Sequence, residues 1–364
     1  MAVLLSSAFC LCIESALAAP FPNLTASQTE VAPAWVDDPS GRGTWNLLYS
    51  CTFTILLCVW TSIHLNVPPP DERVGKAWLR KVKWLFIALL APEFVVYVAF
   101  EQWMVAFDLL KKLNKLSKES SDKLSEQTRG KTKSSETLFD MTYAHFVVMG
   151  GLAVDVGHLH DKLTRATLTK KGILFLAERG QFVHPTRQSI RDKSKANLLA
   201  KGLVCLQILW VAGQAIERKV AGFPITLLEV HTLVHVTCAL VMYSLWVRKP
   251  FDVTDPIIIN INDYQDAVVL MIPADGVVDG DLLCYRAKNS SRDQLVDFFA
   301  CFGHDQSVDD IYAEDFIIML AAIVIPAAYG GVHLSALSIM FPTPVERLLW
   351  KIACYSLLGS GAFL

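Results

Sequence analysis

Five stretches of this chain are long and apolar enough to cross a bilayer, and no other feature constrains the fold as much. Trp45–Val67 runs 23 residues without a formal charge, and Trp84–Phe107 runs 24 with two glutamates. Asn197–Ile216 runs 20 with one lysine, Phe223–Val247 runs 25 with one glutamate, and Phe316–Phe341 runs 26 with none. A helix needs about 20 apolar residues to span the hydrocarbon core. Long helices of a soluble protein would carry a polar stripe, and these blocks mostly do not. Composition agrees: 53% of the residues are hydrophobic and 19% charged, with a mean hydropathy of +0.38, where a soluble domain carries about 25% charge. Disorder is excluded as the main state, and a net charge of −2 gives nucleic acid no electrostatic footprint. Two weaker blocks, Met141–His158 with Asp155 inside it and Leu348–Leu364 with Lys351, bring the expected count to six or seven spans. The predicted fold class is an all-α, polytopic transmembrane helix bundle.

Residues 1–18 form a short apolar run ending in Ala16-Leu17-Ala18, which reads as a signal-like peptide cut after Ala18. No Lys or Arg precedes its apolar core and Glu14 interrupts it, so a short uncleaved anchor is the alternative reading. Residues 19–44 then make a lumenal N-terminal segment, with a glycosylation sequon at Asn23. Membrane helices with polar loops fill 45–250, an acidic extramembrane segment fills 251–315, and further membrane helices fill 316–364. The acidic segment is expected to hold a short strand at Ala267–Ile272 and carries a second sequon at Asn289, usable if that segment is lumenal. Most of the nine cysteines lie in apolar blocks as small hydrophobes. No C-x-x-C occurs, so zinc and thioredoxin chemistry have no support.

Basic loops orient the spans. The loop after Pro68-Pro69-Pro70 carries Arg73, Lys76, Arg80, Lys81 and Lys83, and reads as cytoplasmic. Arg248 and Lys249 close a later span in the same way. These flanks agree with each other if Met141–His158 also crosses, which favours seven spans. Against this, the lysine-rich stretch Lys111–Glu136, expected as a frayed helix or loop, would then be lumenal.

Ionisable side chains inside spans are costly and mark functional candidates. In Trp84–Phe107, Glu93, Tyr97 and Glu101 fall within about 80° of helical arc, beside Phe100 and, further round, Trp103. Pro92 is placed to kink this block. A carboxyl held in apolar surroundings favours its neutral form and can act as an acid, and aromatic faces stabilise a nearby cation. Phe223–Val247 carries Glu229, His231 and His235. The two histidines share a face, and Glu229 points away from His231. Asp155 follows Gly150-Gly151 and precedes His158. Each group has a bland alternative in hydrogen bonding between helices. His64 reads as an interfacial residue, and His333, after Gly330-Gly331, reads equally as a packing residue or a site. There is no phosphate-binding Gly loop, no D-D-x-x-D/E, no G-x-S-x-G and no H-E-x-x-H. No metal site and no cofactor are expected.

Gly41-Arg42-Gly43-Thr44-Trp45, Trp60-Thr61-Ser62-Ile63-His64-Leu65-Asn66-Val67-Pro68, Ala91-Pro92-Glu93, Leu228-Glu229-Val230-His231-Thr232-Leu233-Val234-His235 and Phe341-Pro342-Thr343-Pro344-Val345-Glu346-Arg347 resemble blocks of a group of fungal integral membrane proteins. Some proteins of this kind are terpene cyclases of meroterpenoid pathways, like those for ascofuranone and macrophorin. The resemblance implies metal-free protonation of an alkene or epoxide on a farnesyl chain. The expected activity is therefore a membrane-bound terpene cyclase of fungal secondary metabolism, in the endoplasmic reticulum membrane. Its partners would be a lipophilic prenylated substrate and membrane lipid. Glu93, Glu101, Asp155, Glu229, His231 and His235 are the candidate catalytic residues, with Tyr97, Phe100 and Trp103 against the substrate. The competing readings are a seven-span receptor or transporter and a non-catalytic membrane scaffold.

Overall fold

The computed structural model describes residues 44–68, 74–127, 139–157, 165–186, 188–190, 226–260, 264–271, 282–284, 311–338, 341 and 343–360, with isolated positions between 202 and 213. Among the described residues the helices are α1 (Thr44–Ser62), α2 (Val74–Leu90), α3 (Pro92–Gln127), α4 (Met141–Val148), α5 (Lys170–Glu178), α6 (Leu227–Leu245), α7 (Gln265–Met271), α8 (Ile311–Ser335) and α9 (Pro344–Ser360). The strands are β1 (Leu152–Asp155), β2 (Arg165–Leu168), β3 (Ile257–Ile259) and β4 (Leu283–Cys284). The protein is mostly helical, as its apolar blocks require. Leu227–Leu245 and Phe316–Ser338 are each long and apolar enough to cross a membrane, and the bent pair α2–α3 makes a third if counted as one span.

Side-chain contacts fix the helix directions. The Tyr243 hydroxyl donates to the Thr61 carbonyl, and the Lys249 ammonium to that of His64. The C-terminal ends of α1 and α6 therefore meet at one end of the bundle, here called the inner end, and the two helices run parallel. α2 starts at that end: Trp78 lies against Trp60, with ring centroids 5.9 Å apart. It finishes midway along α6, where the Leu89 carbonyl meets Nε2 of His235 at 3.1 Å. The chain then bends by 112° at Ala91, and Pro92, with its fixed φ and no N–H to lose, opens α3. α3 returns to the inner end, where Gln102 meets both Trp246 and Lys249. Trp84–Phe107 is thus no single helix, and Pro92 sits at the break. α8 runs against α6, and α9 folds back on α8 so closely that a Cβ on Gly330 would lie 3.0 Å from the Cys354 carbonyl oxygen.

Beyond the inner end, α3 continues into a small α/β unit. Leu109 and Leu113 share one core with α4, α5, α7 and the sheet. The sheet order is β3-β1-β2-β4, with β1 parallel to β3 and antiparallel to β2, and β2 antiparallel to β4.

Two expectations are corrected here, and a third is narrowed. Met141–His158 is not a spanning helix: α4 is 8 residues long and gives way to β1. Gly150 takes φ 81, a left-handed helix-ending conformation. A Cβ at Gly151 would lie 2.5 Å from the Phe146 carbonyl oxygen, so the chain folds back tightly there. Where a strand is expected at Ala267–Ile272, helix α7 runs as far as Met271, and among the described residues the short strands of the 251–315 segment are β3 and β4. Lys111–Glu136 is regular helix as far as Gln127, carried by Leu109 and Leu113 as core anchors. The block 197–216 lies largely outside the described residues. Its described positions are helical, with Leu206, Leu209 and Trp210 exposed.

Candidate functional site

Glu93 occupies the first turn of α3, at the tip of the α2–α3 bend, and is buried. Its Oε2 meets no hydrogen-bond partner. An unpaired buried carboxyl oxygen is expensive, so the position is either a structural liability or a held reagent. Cys238 on α6 and Tyr329 on α8 both lie within electrostatic reach of it. The bend therefore delivers one carboxyl into the seam where α3, α6 and α8 pack.

One helical turn away lie three histidines from two helices. Nδ1 of His333 is 3.0 Å from the Tyr329 carbonyl oxygen, and its Nε2 is 3.1 Å from Nδ1 of His231. A carbonyl only accepts, so Nδ1 of His333 carries the hydrogen, its Nε2 accepts from Nδ1–H of His231, and Nε2 of His231 keeps its lone pair. His235 packs against His231 with ring centroids 4.3 Å apart and the rings tilted by 59°. Both its nitrogens face carbonyl oxygens, His231 at 3.2 Å and Leu89 at 3.1 Å. A neutral imidazole has one N–H, so it can satisfy only one of them. Tyr329 and Trp350 close the group, their rings 4.5 Å and 5.6 Å from that of His333, and the Trp350 indole N–H donates to the His333 carbonyl. Among the described residues no group of three or more His, Cys, Asp or Glu is placed to hold a metal ion.

The structure thus brings Glu93, His231 and His235 into one seam and separates the other candidates. Glu101 is buried with an unpartnered Oε2, but it sits about 12 Å further along α3. Tyr97 lies between the two carboxyls and within reach of Glu101. Phe100 and Trp103 lie 6.3 Å apart, and Trp103 stacks on Phe107 at 5.6 Å, as a half-buried ladder along α3. Asp155 ends strand β1, exposed, and accepts from the Gly157 amide. It lies in the α/β unit and not inside a span. Glu229 completes the capping box of α6, its carboxylate accepting from the Thr226 amide and hydroxyl at 2.9 Å. That bond network accounts for a carboxylate at a helix start. Asn23 and Asn289 lie outside the described residues.

Sequence reasoning missed two groups. The first is the pairing of His333 with His231: read alone, His333 suits packing or a site equally, and the i, i+4 spacing from Tyr329 was its only further signal. The second is a polar nest at the inner end. Lys249, 1% exposed, donates to the His64 carbonyl at 2.6 Å, Oδ1 of Asn66 at 3.0 Å and Oε1 of Gln102 at 2.8 Å. The Trp246 indole N–H donates to the same Gln102 oxygen at 3.0 Å.

The description "Family of unknown function (DUF8562)" belongs to the family model that matches residues 14–285, about three quarters of the chain. No curated protein and no solved structure matches.

Proposed function

The chain belongs to the DUF8562 family, and we propose that it is a membrane-bound terpene cyclase that acts on the farnesyl or epoxyfarnesyl chain of a meroterpenoid in fungal secondary metabolism. The observation that supports this reading most is the unpartnered Glu93 carboxyl at the tip of the α2–α3 bend, beside a histidine network. In its acid form Glu93 gives its proton to the terminal alkene or epoxide oxygen. The resulting cation closes rings along the chain, each new C–C bond taking the electron pair of the next double bond. A proton lost from the final cation restores a double bond, and His231 or His235 accepts it. His235 suits that role because protonation lets both its nitrogens donate, to Leu89 and to His231. Tyr329 and Trp350 supply aromatic faces for the cation, with Tyr97, Phe100 and Trp103 lining the approach along α3.

The membrane arrangement belongs to this proposal. The N-terminus is lumenal. α1, α6, α8 and α9 cross, α2–α3 re-enters from the inner, cytoplasmic face, and the apolar stretch 197–216 supplies the crossing that parallel α1 and α6 require. The location is the endoplasmic reticulum, and the substrate arrives from the bilayer. A broken helix with a carboxyl at mid-membrane also suits a proton-coupled transporter. The receptor reading is weaker, because its seventh span was Met141–His158.

The test is expression in a yeast host fed farnesylated phenols and their epoxides, with Glu93→Gln alongside wild type. Cyclised product from wild type, reduced at least about 100-fold in Glu93→Gln, is the expected result. No product from well-expressed wild type with any of these substrates would sink the cyclase reading. Proton-coupled uptake of the same compounds into proteoliposomes would favour the transporter.

A further inference from the structure

We propose that the cavity at the inner end, between the end of α1, the start of α2 and the loop after α6, binds the phosphodiester headgroup of a membrane phospholipid. Its volume is about 540 Å³, and Arg80, Lys81 and Arg165 bring three cations into its wall. The inference rests on the chain lying in a membrane and holds whether or not it is a cyclase.

Asn66 belongs to the polar part of the cavity wall. It lines the cavity and is 2% exposed. Its Oδ1 accepts from the Lys249 ammonium, which can only donate, so the opposite corner of the amide must be the NH2 group. That Nδ2 has no hydrogen-bond partner. The wall also holds cations that suit phosphate: Arg80 is anchored by a bond to the Asn66 carbonyl, and Lys81 lies over the Trp60 ring at 4.6 Å.

Charge and surroundings identify the kind of phosphate. Asp252 and Asp255 line the same cavity, so three cations against two carboxylates leave one net positive charge. A phosphodiester carries one negative charge, whereas inorganic phosphate near neutrality carries up to two. Trp60 and Trp78 flank the cavity as interfacial aromatics do. From Trp78 an exposed apolar stripe runs along α2 through Val82, Phe86 and Leu90, spaced to lie on one helical face. Acyl chains laid on that stripe put their headgroup at the cavity. A soluble phosphate would leave the stripe unused. Basic pockets between helices on the cytoplasmic side are where lipid headgroups bind.

The experiment is native mass spectrometry of the purified full-length protein with dioctanoyl phosphatidylglycerol, with dioctanoylglycerol lacking the phosphate, and with inorganic phosphate as competitor. Wild type should retain phosphatidylglycerol, ignore dioctanoylglycerol and keep the lipid when phosphate is added. The double variant Lys81→Gln/Arg165→Gln, and separately Asn66→Asp, should bind the lipid about tenfold more weakly. Lys123→Gln, on the exposed far end of α3, should bind as wild type does. Elution volume and unfolding temperature establish that each variant is folded. Equal retention of dioctanoylglycerol would overturn the headgroup assignment. Displacement of the lipid by inorganic phosphate would overturn the lipid as the source. Unchanged binding by folded Lys81→Gln/Arg165→Gln would overturn the location.

Discussion

His145 makes the protein acid-sensitive in a way that one substitution can isolate. It lies inside α4, 1% exposed, and neither ring nitrogen has a hydrogen-bond partner. Burial, then the Lys249 ammonium, then His64, hold its pKa down to about 3 from an ordinary 6.5. The folded protein refuses a proton that the unfolded chain accepts, so this contribution is intact above about pH 6.5 and is lost as pH falls towards 3. Each unit of separation corresponds to about 1.4 kcal/mol. At about pH 4.5, roughly two units below the unfolded value, wild type should have lost about 3 kcal/mol through this residue. His145→Phe keeps an aromatic ring in the cavity and removes the titration. It also removes two unpartnered nitrogens, so it should be more stable by about 1–3 kcal/mol near pH 8. The assay is thermal unfolding in one detergent, followed by tryptophan fluorescence, for both proteins from about pH 8 to pH 4.5. The gap between the two curves should widen steadily below about pH 6.5. A gap constant across that range would refute the reasoning, because the acid loss would then belong to other groups.

Three further outcomes follow from contacts elsewhere. Lys249→Met strands the acceptors at His64 and Asn66 in a buried site, and should cost at least about 3 kcal/mol, read as a lowered unfolding temperature or loss of monodisperse protein. Gly172→Ala drives a Cβ into the Leu282 carbonyl oxygen, which must move, and should cost about 1–3 kcal/mol in the same assay. Glu229→Gln weakens the α6 capping box by about 1 kcal/mol and should leave product formation per folded molecule unchanged, whereas a collapse like that of Glu93→Gln would give Glu229 a chemical role.

Reading the sequence worked where the information is local. Apolar blocks located α1, α6 and α8, and the Pro92 break was visible from residue type alone. Met141–His158 failed because hydropathy counts residues and ignores what they pack against. Phe146, Val147 and Val148 are as buried in the core shared with α3 and α5 as they would be in lipid, so the same composition serves either fold. The acids failed for a related reason. A glutamate near the start of an apolar block can be an intramembrane acid or a helix cap, and only the Thr226 contacts identify Glu229 as a cap. Glu93 looks the same in sequence, yet its Oε2 is unpartnered. The nest around Lys249 was out of reach, since its members are separated by up to 185 positions.

The proposed membrane arrangement removes the conflict between basic loops in the sequence. Charge counting placed 68–83 and 248–249 on one side of the membrane, but every additional crossing needed to reconcile them put the lysine-rich 111–136 on the other. The count assumed that Trp84–Phe107 crosses. A bent pair that starts beside Trp60 and returns to Trp246 enters and leaves at the same end, so it changes no parity. All three basic stretches can then share the inner side without a span at Met141–His158. The same bend accounts for where Glu93 sits. Placed in the first turn of α3, its carboxyl is carried into the bundle within reach of Cys238 and Tyr329, and there its Oε2 meets no partner.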